Sequence, residues 1–112
     1  KLVNIAGFGN RVATIAFGPR RVILVVGANK IVANVEEALR RIKEVAAPLN
    51  ARRHLVRHSM DELPCALTGM CSDCRHPRRI CCVTTIIEYQ RRPASQRQPR
   101  IHVVIVGEEL GL

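Results

Sequence analysis

All five cysteines of this 112-residue chain lie within the stretch PCALTGMCSDCRHPRRICC, which covers residues 64–82. Cys71 and Cys74 are separated by two residues, a spacing that lets two thiolates bind one centre without straining the turn between them. Gly69 eases the approach of the chain to that turn. The segment is rich in Gly, Pro, Ser and Asp, so we expect a loop that forms a single local unit.

Three interpretations of the cysteine segment compete. A disulfide knot is typical of small secreted chains, but the number of thiols here is odd. A zinc ribbon would show two close cysteine pairs where this chain has one, and irregular spacing is compatible with an iron–sulfur cluster. Reduced, free thiols with no metal bound are the third interpretation. His76 also lies in the segment, and we expect its ring to face solvent.

The composition limits the choice of partners. The net charge is +9, and fifteen of the eighteen basic residues are arginine, which invites a nucleic-acid interpretation. Single-strand binding uses aromatic stacking platforms, however, and Phe8, Phe17 and Tyr89 are the whole aromatic content. The scarcity of aromatic residues therefore disfavours a nucleic-acid partner. The apolar runs VILVV and VVIV are too short to span a bilayer, and we expect a cytoplasmic protein with no membrane contact.

Strand and helix signals alternate along the chain. RRVILVVG, CVTTIIEY and IHVVIVG are typical of strands, whereas NVEEALRRIKEVAAP has helical periodicity. Asn34 caps that helix, with Glu37 completing a near capping box, and Pro48 ends it or begins a following helix. Residues 90–100 are typical of a polar surface loop. This order predicts an α/β domain with an open, mostly parallel sheet and an antiparallel edge.

Polar residues follow the predicted strands. Ligands of open α/β sheets gather outside the carboxyl ends of the strands, and two buried strands end in GANK and GEE. If these two strands are parallel neighbours, a cation and a carboxylate lie around one cleft. The glycine turn near the start of the chain would then add a polar wall. The candidate catalytic residues are Lys30, Glu108 and Glu109, and the candidate ligand-binding residues are Asn10, Arg11, Asn29 and Lys30. Solvated turn residues are the alternative interpretation.

In order along the chain, the motifs GFGNRVA, FGPRRVILVVGANKIV, EEALRRIKEVAAPLNARR, PCALTGMCSDC, RRICC and VIVGEELG resemble the lactate-utilisation (LUD) domain family. The resemblance implies a Rossmann-like fold similar to that of sugar-phosphate isomerases and CoA transferases. It also implies that residues 1–112 are the C-terminal half of one such domain, in the cytoplasm, beside the iron–sulfur subunits of lactate oxidation. It implies no known catalytic residue.

The resemblance assigns the cysteines individually. Four cysteines match the family pattern and are the expected metal ligands: Cys65, Cys71, Cys74 and Cys81. The lactate-oxidation context implied by the family favours an iron–sulfur cluster over zinc at this site. Cys82 stands where the family usually has asparagine and is the spare thiol. Ala6 stands where the family usually has an acidic residue, which weakens any acid–base role beside Gly7.

Three functions follow from these observations. The first is a subunit or accessory protein of a lactate-oxidation complex with a cysteine-ligated centre. The second is an enzyme of the isomerase or acyl-transfer type that uses the strand-end cleft. The third is a small zinc-stabilised nucleic-acid module.

Because one amphipathic helix cannot cover two buried strands on both faces, we also expect a partner chain, a homo-oligomer or a large exposed apolar surface.

Overall fold

The computed structural model describes residues 1–58, 63–91, 94 and 98–112. Part of the loop predicted over 90–100 therefore lies outside the described residues. The strands are β1 (Leu2–Ala6), β2 (Val22–Gly27), β3 (Val83–Ile87) and β4 (Ile101–Val106), and the α-helices are α1 (Asn10–Ala16), α2 (Val35–Arg41), α3 (Ala47–His58) and α4 (Pro64–Thr68). A 3-10 turn spans Ala28–Lys30, and a π-helical turn spans Ile42–Ala46.

The described strands form two separate two-stranded sheets. β2 and β4 pair in parallel, from Val22 opposite Ile101 to Gly27 opposite Val106, and this is the parallel pair that the two aliphatic runs predicted. β1 and β3 pair antiparallel in the other sheet. The Rossmann-like single sheet is therefore not confirmed. In β3, half-buried and exposed residues alternate. This alternation is typical of an antiparallel pair with one solvent-exposed face, whereas a central parallel strand is buried on both faces.

The helix after β2 begins as predicted. The side-chain oxygen of Asn34 accepts a hydrogen bond of 2.8 Å from the backbone N–H of Glu37. The Glu37 carboxylate reaches back to the N–H of Ala33, at 3.1 Å, one residue before the position that a standard capping box would use. The cap and its reciprocal bond therefore fix where α2 starts.

The helical path continues from α2 through the π-helical turn into α3. Ala47 donates its backbone N–H to the carbonyl of Ile42, five residues earlier. Pro48 then lies in the first turn of α3, where its missing N–H is tolerated. Pro48 thus begins a following helix, one of the two outcomes that the sequence left open. We attribute the π-helical turn to the room that the proline ring needs.

The main cluster of buried residues joins α3 to α4. Ala51 of α3 packs with Leu63, Cys65 and Ala66, and Leu55 and Ile80 pack against that group while remaining partly exposed. These are mostly small side chains. The cluster anchors the first cysteine of the cysteine segment to the helix before it.

The β2–β4 pair is covered poorly on both faces. Ile23 and Val25 are each 62% exposed on one face, beside Val104 at 48%, and Val103 and Ile105 are about as exposed on the other. Apolar side chains are therefore exposed on both faces of the pair. In the described ranges, none of the helices combines the length and apolar composition needed to cross a bilayer.

Candidate functional site

The cysteine segment starts with a helix instead of a loop. α4 begins with Pro64 at its first position and ends at Thr68. Gly69, which follows, has a left-handed φ of 75°, and its N–H donates to the carbonyl of Cys65 at 3.1 Å. Our prediction of a loop over 64–82 is therefore wrong for residues 64–68. Proline just inside the start of a helix and glycine just past its end are the signal that identifies it. The helix buries Cys65 against α3.

The two close cysteines lie in an irregular part of the cysteine segment. Asp73, between them, has φ of 50°, a left-handed conformation that aspartate tolerates better than most residues. Its backbone N–H donates to the sulfur of Cys71 at 3.4 Å. Amide hydrogen bonds to sulfur stabilise thiolate ligands and tune the centres that they hold. This part of the segment therefore has a feature that suits a bound metal.

Arg79 ties the second half of the cysteine segment together. Its Nη1 donates to the carbonyl of Cys74 at 2.7 Å, and its Nη2 donates to the carbonyl of Cys81 at 3.0 Å and lies 3.5 Å from the Cys81 sulfur. Nη2 also lies 3.5 Å from the carboxylate of Asp73. A hydrogen bond to the Cys81 side chain and the negative charge of Cys81 raise the pKa of Arg79, so the guanidinium stays charged. Its Nε is buried and has no hydrogen-bond partner.

Four of the five thiols are electrostatic neighbours. Burial raises the pKa of the Cys65 thiol, and the charges of Cys74, Cys71 and Cys81 raise it further. Cys82 is exposed and donates its thiol to the carbonyl of Arg79 at 3.2 Å. The convergence of four sulfurs on one centre stays a prediction. Within residues 1–58, 63–91, 94 and 98–112, no three Cys, His, Asp or Glu side chains form a group that could hold a metal ion.

His76 is placed differently from our expectation of a solvent-facing ring. The residue is half-buried, and its Nδ1 accepts a hydrogen bond of 3.2 Å from the backbone N–H of Arg78. This bond helps to shape the loop between Cys74 and Arg79. His76 therefore acts locally on the backbone of the cysteine segment.

The segments that follow β2 and β4 meet at one edge of their sheet, and the chain itself occupies the strand ends. Lys30 donates to the main-chain oxygen of Leu112 at 2.6 Å, and the Asn29 amide bonds the carbonyl of Gly111 and the N–H of Leu110. Burial, with a smaller effect from Arg41, holds the pKa of Lys30 below its usual value. Glu108 contributes its backbone carbonyl, which accepts from the N–H of Ala28 at 3.1 Å.

The remaining candidates are exposed residues. The side chains of Glu108 and Glu109 are exposed. Asn10 and Arg11 follow β1, in the other sheet, and Arg11 donates to the carbonyl of Ile5 at 2.6 Å. The structure thus joins Asn29 and Lys30 to the segment after β4, whereas residues 10 and 11 follow a strand of the other sheet.

A cleft of about 1020 Å³ separates the two sheets. Aliphatic side chains of both sheets line it, among them Leu2 and Ile87 on one side and Val26 and Ile105 on the other, and Lys30 lies at its wall. The cleft is a consequence of the two-sheet arrangement, and the sequence contained no pattern that marks it.

These elements define a class of protein: a mixed α/β domain in which the cysteine segment packs against α3 and is held together by an arginine. The chain belongs to the LUD domain family, which matches residues 1–106. It is therefore a lactate-utilisation-associated protein at the level of its family. No curated protein and no solved structure matches it.

Proposed function

We propose that this LUD-domain chain works in the cytoplasm as a subunit or accessory protein of a lactate-oxidation complex. In this proposal, Cys65, Cys71, Cys74 and Cys81 hold an iron–sulfur cluster, with zinc as the alternative metal, and the partners are other lactate-oxidation subunits. The family match carries the link to lactate utilisation. The contacts of Arg79 carry the proposal of a cysteine-ligated centre.

The residues suit an iron–sulfur cluster in their chemistry. Thiolates are the ligands that such clusters use, and four thiolates around a cluster leave an anionic site. Arg79 supplies a positive charge beside Cys81, together with a buried Nε that lacks an acceptor. A buried charged donor without a partner is costly, and an anionic centre would relieve that cost.

Each residue of the segment has a distinct task in this proposal. Cys65 anchors the site to α3 through the buried cluster. The Asp73 N–H hydrogen bond holds the Cys71 sulfur in place, and Arg79 fixes the backbone on both sides of its own position. A bound cluster would supply one-electron transfer, with its potential set by these hydrogen bonds and by solvent exposure. In the part of the chain that the structure describes, these sulfurs do not form a metal-holding group, so binding would have to draw them together.

The test is an anaerobic analysis of iron, acid-labile sulfide and zinc, combined with a visible absorption spectrum. We expect iron and sulfide in stoichiometric amounts and a broad thiolate-to-iron absorption. Cys74→Ser should remove both, whereas Cys82→Ser is the matched control and should retain them. If zinc is found without sulfide, the site is a zinc site instead of an iron–sulfur cluster. Equal metal content in the two variants, or none in the unmodified protein after anaerobic reconstitution, would overturn the proposal of a cysteine-ligated centre.

A further inference from the structure

Two histidines lie near the end of α3, in the stretch HLVRH over residues 54–58. Residues four apart on a helix share one face, with their side chains one turn above the other. The rings of His54 and His58 follow this rule, with their centroids 5.4 Å apart and their planes inclined by 40°. The pair is separate from the four cysteines of the proposed centre.

The helix that carries the pair is held in place. Leu55, between the two histidines, packs against the buried cluster of Ala51, Leu63, Cys65 and Ala66. Its anchoring restricts the rotation of α3 and therefore the positions of both imidazoles. His54 is half-buried, whereas His58 is exposed. The approach to the pair is thus open on the His58 side.

The ring nitrogens are not committed to other contacts among the described residues. The Nδ1 of His54 is buried without a hydrogen-bond partner. Imidazole nitrogens are good ligands for zinc, copper and nickel, and two of them on one helical face are a common bidentate arrangement. Because the second nitrogen binds the same ion intramolecularly, the pair exceeds a single histidine in affinity.

We propose that His54 and His58 bind a divalent transition-metal ion of the imidazole-preferring class, at a site independent of the cysteine segment. The ion takes two nitrogen ligands from the protein and completes its coordination with water. Catalytic zinc helices of the H-E-x-x-H type place a glutamate directly after the first histidine as general base, and here that position is Leu55. The site therefore binds metal without hydrolytic chemistry. Arg53 and Arg57 add positive charge nearby and keep the affinity moderate.

The test uses the full chain and Ni²⁺ alone, observed by NMR of the histidine rings. A paramagnetic ion broadens the signals of the rings that it touches, so the four histidines report separately. We expect substoichiometric Ni²⁺ to broaden His54 and His58 together. His58→Gln, at an exposed position, should weaken Ni²⁺ binding to the His54 ring by roughly a hundredfold. His76→Gln, in the cysteine segment, is the matched control and should leave it unchanged.

Two outcomes would overturn the inference. Broadening confined to His76 would assign the ion to the cysteine segment, and an unchanged affinity at His54 after His58→Gln would show that the pair does not act together. Circular dichroism of His58→Gln and His54→Gln checks that α3 stays folded in both variants.

Discussion

The Nη2 atom of Arg79 lies 3.5 Å from the sulfur of Cys81, while Nη1 of the same guanidinium donates to the carbonyl of Cys74. One side chain thus spans the part of the chain between two of the proposed ligands. The cysteine segment has few buried apolar groups of its own beyond α4 and Ile80. Its order therefore depends on this arginine more than on packing.

The first prediction concerns Arg79. Arg79→Gln should lower the free energy of unfolding by about 2 kcal/mol, because hydrogen bonds from a charged donor to two carbonyls are lost. Urea denaturation of the metal-free chain measures the change. Arg75→Gln, at an exposed position of the same loop, is the control and should change stability little. Equal effects of the two substitutions would contradict the role given to Arg79.

The second prediction concerns the order in which the thiols react. Cys65 is buried and its pKa is raised, so little of it is thiolate at pH 8, whereas Cys82 is exposed. Iodoacetamide should therefore modify Cys82 well before Cys65 in the metal-free protein, as peptide mapping by mass spectrometry would record. In urea the difference should disappear. Faster labelling of Cys65 than of Cys82 in the folded chain would show that α4 does not bury it.

The third prediction concerns Gly27 at the end of β2. A Cβ there would collide with the backbone N of Leu110 and the side-chain oxygen of Asn29, and would lie 2.7 Å from the carbonyl of Glu108. Gly27→Ala should destabilise the chain by about 1–3 kcal/mol, as overpacking does. At Gly107 a Cβ would meet nothing within 4 Å, so Gly107→Ala is the matched control. Thermal unfolding of both variants decides whether the segment after β4 lies over the end of β2.

The fourth prediction concerns pH. Burial, then the charges of Arg53 and His58, hold the pKa of His54 below its usual value. The unfolded chain therefore binds more protons than the folded one as pH falls through about 6.5, and stability decreases in that window. His54→Gln should flatten the decrease between pH 7.5 and 5.5, measured by urea unfolding. His76→Gln controls for the number of histidines, and an equal flattening there would contradict the assignment to His54.

Local signals predicted the parts of the fold that depend on few residues. Asn34 caps α2 because its side chain satisfies a backbone N–H three residues on, and this requires no tertiary contact. The parallel pairing of β2 with β4 followed from two unbroken aliphatic runs. The helix Pro64–Thr68 was also predictable, but the many turn-forming residues of the cysteine segment hid the proline and glycine at its ends.

The arrangement of the sheets was not predictable in the same way. Whether β1 and β3 extend the β2–β4 pair or form their own sheet depends on contacts between distant segments, which alternation along one strand does not encode. The prediction that Asn10 and Arg11 lie beside Lys30 assumed a single sheet. The structure instead pairs β1 with β3 in a separate sheet, so that assumption does not hold. Arg79 was likewise missed as a site residue, because its role depends on where the backbone of Cys74 and Cys81 lies.

The exposed faces of the β2–β4 pair have a thermodynamic consequence. Any molecule that binds Ile23, Val25 and Val104 in the folded chain but not in the unfolded one adds RT ln(1 + [L]/Kd) to the free energy of unfolding. At a hundred times Kd this is about 2.7 kcal/mol, a sizeable part of the stability of a small domain. The melting temperature of this chain is therefore a property of its surroundings as well as of its sequence, and it should rise with the concentration of whatever covers these strands.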